Sequence, residues 1–334
     1  MPSAPVSACA SVSSLCFRRR LLVLAGGIPL PALPLPAAAQ DYPGRPTRII
    51  AGGGPDVLAR LVADKLGGAW GQAVYVEPRT GGAGTVAADA VAKAAPDGYT
   101  LLLSTGSYSV TAVLQPRLPY DFLKDLTPVA LLATSTSVLV VNNDLPAHSL
   151  QQLVALAQAQ PGKLNYASSG NGTRPHLSGE MLKQYTGMDV VHVPYKFLAP
   201  AVSDLMAGQV QMAFVPAPSV LPLVKAGRLR ALAVSGTRRY APLPDVPTVA
   251  EQGYPGFAII GWNGIHAPAK TPPAVLARLS ADIASILRLP DVQAKIEAAG
   301  FEPTVMERAE FVDFVQADAA LSVRVIRAGN IKAD

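Results

Sequence analysis

The chain has 334 residues, half of them hydrophobic, with 28 Lys+Arg against 23 Asp+Glu and two cysteines. Three of the basic residues (Arg18, Arg19, Arg20) and both cysteines (Cys9, Cys16) fall in the first forty positions, so the remainder carries 25 basic and 23 acidic residues, a net charge of +2, and no thiol. Near-neutral charge with no Lys/Arg block interleaved with aromatics argues against a nucleic-acid partner, and a chain without cysteine beyond that start has no disulfide, thiol redox or cysteine metal chemistry.

The arginines precede the apolar run "LLVLAGGIPLPALPLP", and Ala37-Ala38-Ala39 offers a small-residue cleavage site before Gln40. This is the pattern of a secretory signal peptide over residues 1–39. Pro29, Pro31, Pro34 and Pro36 interrupt the run, and no later segment has the apolar stretch of about 20 residues that a spanning helix needs. The expected product is an exported chain of about 295 residues, long enough for two packed lobes.

Beyond the leader, strand-like and helix-like runs alternate: "TRIIA", a helix from Pro55, "AVYVEP", a helix over 85–95, "YTLLLST", then "TPVALLATSTSVLVVN". Alternation of this kind predicts parallel sheets flanked by helices. The run 128–142 is too long for one ordinary strand and has a polar waist at 134–137, which predicts a strand crossing between lobes. The pattern then restarts, with Ser149 and Gln152 as a capping-box pair. There follow "KLNYASSG", a helix over 173–185, "DVVHVPY", a helix over 200–206, "VQMAFVP" and "LRALAVSG". "AIIGWNGIHAP" predicts a second crossing, and amphipathic helices over 273–287 and 308–328 close the chain. The predicted architecture is α/β with two lobes, each a sheet flanked by helices: residues 40–136 plus 260–334 in one and 137–259 in the other. Two crossing strands form the hinge, and the cleft between the lobes is where a ligand belongs.

Three turns precede helices: Gly52-Gly53-Gly54-Pro55-Asp56, "RTGGAGTVA" over 79–87, and "SSGNGTRPHL" over 168–177 with Thr173 as its N-cap. Helix N-termini present unpaired N–H groups and a positive dipole end, so opposed turns from two lobes favour a small carboxylate between them. A single glycine turn has a competing explanation, close packing of strand on helix. Gly82, Gly84 and Ala87 match G-x-G-x-x-A, but Pro78, Arg79 and Thr80 separate them from the strand, no acid follows at the dinucleotide spacing, and the phosphate-loop pattern is absent. No cofactor is expected. No histidine pair has ligand spacing, so no metal is expected either. His192 alternates inside a strand and reads as a structural histidine, whereas His176 lies in the first turn after Thr173 and has the better claim to the cleft. A hydrolase would want G-x-S-x-G, but Ala167 stands at the first glycine. Ser169 therefore reads as a hydrogen-bond donor, with a secreted serine hydrolase using Ser169 and His176 as the alternative. Tyr195 and Lys196 are placed to reach a carboxylate. Trp262 either stacks on a ligand or packs in the hinge.

The segments "YPGRPTRII", "AAPDGYTLLL", "LPYDFLKDLTPVALLA", "GKLNYASSGNGTRPHLSGEML", "HVPYK", "AGRLRALAVSG" and "LPDVPTVAEQGYPGF" resemble, in order and over residues 42–332, the substrate-binding receptors of the tripartite tricarboxylate transporter family, the Bug receptors. The resemblance implies a two-lobed periplasmic-binding-protein (Venus flytrap) fold; a monomer is expected, and no catalysis, since the candidate residues supply hydrogen bonds and positive dipole ends but no nucleophile paired with a base. It implies capture of a small carboxylate and delivery to membrane permease subunits, or to a signalling partner in orphan members. Carried over by motif, the ligand contacts would be Gly53, Gly54 and Asp56 from the first turn, Ser168, Asn171, Thr173 and His176 from the third, and Tyr195 and Lys196. Two departures stand out. Ile50 and Ala51 run straight into Gly52, which shortens the first turn. Phe197 replaces the glycine of Y-K-G, and Val215 stands where an acid is common, so an α-amino group would meet no carboxylate. The expected ligand is an aromatic or aliphatic carboxylate rather than a simple acidic amino acid.

Overall fold

A computed structural model describes residues 42–52, 56–115 and 117–332. The predicted leader and its cleavage site, and Gly53 and Gly54 of the first turn, lie outside the described residues. In chain order the elements are β1 (Thr47–Ala51), α1 (Val57–Trp70), β2 (Val74–Pro78), α2 (Thr85–Ala92), β3 (Thr100–Thr105), α3 (Ser107–Leu114), β4 (Leu126–Ser135), β5 (Ser137–Val141), α4 (Leu150–Ala159), β6 (Asn165–Ser168), α5 (Arg174–Thr186), β7 (Val191–Pro194), α6 (Leu198–Met206), β8 (Met212–Pro216), α7 (Ala217–Lys225), β9 (Arg230–Val234), β10 (Gly261–Pro268), α8 (Pro273–Leu287), α9 (Pro290–Ala298), β11 (Glu302–Pro303) and α10 (Arg308–Ala328).

The strands form two sheets, ordered β11-β4-β10-β3-β1-β2 and β7-β6-β8-β5-β9. Successive side chains of a strand point to opposite faces, so adjacent apolar residues feed two cores. Ile49, Leu101 and Leu103 pack with α1 and α8, while Ile50 and Leu102 pack with Ala88, Tyr108, Trp262 and Phe311 on the other face. The second sheet repeats the arrangement. Leu139 and Val141 join Tyr166, Met181 and Phe214, and Val138, Val140 and Val215 join Val202 and Val220.

Both sheets are mixed rather than parallel, which corrects the expectation from alternation. β1 pairs β2 and β3 in parallel, but β10 runs antiparallel to β3 and β4. In the second sheet β6 pairs β7 and β8 in parallel, and β5 runs antiparallel to β8 and β9. The exceptions adjoin the crossings: the chain leaves the first sheet through β4, enters the second through β5 and returns through β10, and β5, β10 and β11 run against the βα repeats whereas β4 runs with them. The long run 128–142 is two strands in different sheets. It breaks at Thr136, whose carbonyl accepts the Ala217 N–H at 2.9 Å.

Helix α10 ties the sheets together. Its Phe311 and Val315 belong to the first sheet's core and its Val325 and Ile326 to the second's. Between these halves lie the buried polar residues Asp318 and Ser322, and α10 packs there on α3 and α5. No helix among the described residues is long and apolar enough to cross a membrane.

Candidate functional site

The first two turns close on one another. Gly52 packs so tightly that a Cβ would lie 2.5 Å from the Tyr108 hydroxyl and 2.8 Å from the Gly84 Cα. Asp56 caps α1 by position but makes no capping hydrogen bond. Its Oδ2 accepts from Arg60 Nε (2.9 Å) and Nη2 (2.6 Å) one turn along, and the Arg60 hydrogen bond holds the Asp56 carboxyl below its ordinary pKa. The carboxylate expected at the cleft is thus engaged on its own helix.

The third turn is built from its own side chains. Ser168 is almost fully buried at the end of β6. Its Oγ accepts the Gly170 N–H at 3.1 Å and lies 2.7 Å from His192 Nε2. Thr173 is the N-cap of α5, but its Oγ1 donates to the Gly170 carbonyl at 2.7 Å instead of capping the helix. The Gly172 N–H donates to His176 Nδ1 at 3.1 Å, which makes that nitrogen the acceptor and assigns the neutral ring's proton to Nε2. The His176 and His192 rings stack at 3.7 Å, and Tyr166 stacks on His192 at 4.8 Å. Ser169 and Asn171 are half-buried in the same turn. Gly172 has φ +71°, and a Cβ there would meet Leu114 Cδ1 at 2.4 Å. The turn of the second sheet therefore presses on α3 of the first.

The end of β7 lies beside this turn, since the Tyr195 N–H donates to the Ser168 carbonyl at 3.0 Å. The Tyr195 hydroxyl is not turned to the cleft: it donates to Asp204 Oδ2 at 2.6 Å, and burial with that carboxylate pushes its pKa up to about 12. Lys196 is exposed with its Nζ 5.8 Å from the centre of the Phe197 ring, and that ring is 64% exposed.

Val215 is not at the cleft, and Trp262 takes the packing alternative. Val215 is fully buried in the β5–α6–α7 core, because the alternation of β8 points it inward. Trp262 is buried against Phe311, and its Nε1 donates to Asp318 Oδ2 at 3.0 Å, so the crossing uses it for packing. His266 is buried too, 2.6 Å from Ser104 Oγ by its Nδ1, and desolvation lowers its pKa to about 3. A cavity of about 180 Å³ beside it is lined by Phe122, Thr127, Val315 and Gln316, and by no residue of the three turns.

Sequence reasoning missed Arg174. It occupies the first position of α5, and its Nη2 meets Asp318 Oδ2 of α10 at 2.5 Å. It lies against Gly106 at the start of α3, where a Cβ would fall 2.0 Å from Nη2. A cation at the positive end of its own helix is electrostatically misplaced unless anions surround it, and that mismatch in "GTRPHL" is the signal that was available.

The family model for the tripartite tricarboxylate transporter family receptor matches residues 58–331. Among curated relatives, a protein of the tcbD-tcbE intergenic region of Pseudomonas sp. strain P51 is 39% identical over 86% of this chain and 89% of its own. Bordetella pertussis BugT is 38% identical over 86% and 90%. Among solved structures, Rhodopseudomonas palustris Rpa4515 with adipate is 33% identical, with a TM-score of 0.73 over 87% of this chain and 99% of its own. MatC of the same organism with bound malate is 30% identical, with a TM-score of 0.69 over 85% and 100%. The match of fold and of nearly the whole described sequence has one conclusion: this chain belongs to the tripartite tricarboxylate transporter receptor family.

Proposed function

We propose that this chain is a periplasmic solute receptor that takes a small organic acid between its two sheets and presents it to the permease subunits of a tripartite tricarboxylate-type transporter. The observation that carries the reading is the third turn. A helix N-terminus rich in glycine, serine, threonine and histidine is pressed against α3 of the other sheet, so a solute carboxylate there touches both halves of the molecule. The adipate and malate bound by Rpa4515 and MatC support a carboxylate as the ligand class.

In this reading the leader is removed near Ala39, and residues 40–136 with 260 to the N-terminal half of α10 close on 137–259, in whose core the C-terminal end of α10 packs, about the 135–137 and 258–261 crossings. Ligand contacts to both lobes stabilise the closed form. The contributing groups are the amides of Gly53 and Gly54, the third-turn residues Ser168, Ser169, Asn171, Thr173 and His176, and the exposed Lys196 and Phe197. The exposed ring of Phe197 supports an aliphatic or aromatic acid over a simple amino acid. These groups supply hydrogen bonds and positive dipole ends, and the Ser168 hydroxyl takes part in the turn's own hydrogen bonds, with the Gly170 N–H and His192 Nε2, so the reading includes no catalysis.

The test is a thermal-shift screen of refolded, ligand-stripped mature protein against di- and tricarboxylates, aromatic acids and amino acids. A ligand of the native state raises stability by mass action, about 2.7 kcal/mol at a hundredfold excess over Kd. A shift with one carboxylate class supports the receptor reading; a flat screen from well-folded protein contradicts it. Tight aspartate or glutamate binding would overturn the exclusion of amino acids.

A further inference from the structure

We infer that Arg174 selects for solutes carrying a second anionic group. The inference rests on the carboxylate-receptor reading and adds to it a residue of this chain that reads the far end of the solute.

Arg174 uses its donors incompletely. Only Nη2 reaches Asp318, while Nε and Nη1 are buried and have no partner among the described residues. Asp318 does not match the guanidinium fork, since the same Oδ2 also accepts from Trp262 Nε1. Arg–carboxylate pairs are frequently bidentate, whereas this one is made through a single Nη2–Oδ2 contact. Buried N–H groups without acceptors carry the full cost of lost hydration, about 1–3 kcal/mol each and more on a charged group, so this face is built to receive an acceptor.

The surrounding charge points the same way. Arg174 is the first residue of α5, and Gly106, against which its guanidinium lies, is the N-cap of α3. Two positive helix ends and a guanidinium converge on one carboxylate, Asp318, which leaves the place net positive. Gly106 belongs to the first sheet's β3–α3 turn and Arg174 to the second sheet's α5, so the guanidinium sits where the two halves meet, next to the third turn. A solute carboxylate held at that turn directs a second acidic group at Arg174, whereas an α-ammonium group is repelled from it. A fork that accepts one more carboxylate favours the dianion over the monoanion by about ten- to a hundredfold.

The experiment is calorimetric titration of the refolded mature chain with adipate and with monomethyl adipate, which has the same chain length but one carboxylate, for wild type, Arg174→Gln, Arg174→Lys and Asp318→Asn. Wild type is expected to prefer adipate at least about tenfold. Arg174→Gln should lose the preference through weaker adipate binding, with the monoester little changed, and Arg174→Lys should fall between. Asp318→Asn, which keeps an acceptor for Trp262 but removes the competing charge, should bind adipate more tightly than wild type. If Arg174 only latches helices, Arg174→Gln and Asp318→Asn both weaken the two ligands alike, and that result overturns the inference. If Arg174→Gln does not fold, the Lys and Asn variants decide it by their opposite signs. Equal binding of diacid and monoester by wild type overturns this inference and leaves the receptor reading standing; a wild type that binds no carboxylate in the wider screen overturns both.

Discussion

His266 sets a pH limit on the fold. It lies among Phe122, Trp262 and Phe311, and burial lowers its pKa from an ordinary 6.5 to about 3. Between those values the unfolded chain binds a proton that the folded chain refuses. Stability is therefore fully present above pH 6.5 and falls with acidification by about 1.4 kcal/mol per pH unit at most. His266→Gln should flatten this acid limb in denaturant unfolding between pH 4 and 7, and an unchanged slope would assign the limb to other groups. Gly106 makes a second prediction. Gly106→Ala puts a methyl into the Arg174 guanidinium, so the Arg174–Asp318 pair must shift, at about 1–3 kcal/mol. Thermal unfolding with an unaltered midpoint would contradict that close approach. At this scale the sequence was legible where a residue's chemistry is local. The structural reading of His192 matches its hydrogen bond to Ser168 and its stacking on Tyr166. Arg174 and Asp318 were not legible, because 144 residues separate them and only the packing of α5 on α10 brings them together.

Helix α4 shows how much local sequence can specify. Ser149 Oγ accepts the Gln152 N–H at 3.2 Å as a capping box requires, while Gln152 Oε1 accepts from the His148 N–H at 2.7 Å, one residue earlier than the usual partner. Ser149→Ala should cost about 1 kcal/mol, measured by urea unfolding, and Ser149→Asp should restore most of it. The strands of the βα repeats were readable for the same reason, since runs such as "TLLLST" are apolar on both faces and bounded by turns. The helices α3, α7 and α9 were not. α7 begins beside Pro216 and contains Pro222, and α9 starts at Pro290 and has little apolar face, so each reads as loop until the sheet beneath it is known. α2 also stops at Ala92, three residues before its predicted end. Strand direction was misread because periodicity reports burial and spacing but not whether a strand pairs with its predecessor or with a segment returning from the other sheet.

On the scale of the whole molecule, two sheets share one C-terminal helix and two crossings, and the N-termini of α3 and α5 face the same junction. The restart of the βα pattern after residue 142 exposed the two-sheet plan, and the ordered motifs exposed the family. The solute stayed hidden, because the side chains of the third turn bond one another and the Arg174 guanidinium is set by tertiary packing. Residues 40–334 contain no cysteine, so a protein of that span suits long solution measurements without thiol exchange. The decisive one is hydrogen exchange on that protein with and without the carboxylate giving the largest thermal shift. Capture between the sheets predicts slowed exchange in the segments 50–60 and 168–180 together, with the 135–137 and 258–261 crossings also altered. Protection confined to one sheet, or to neither turn, would contradict a solute held between them.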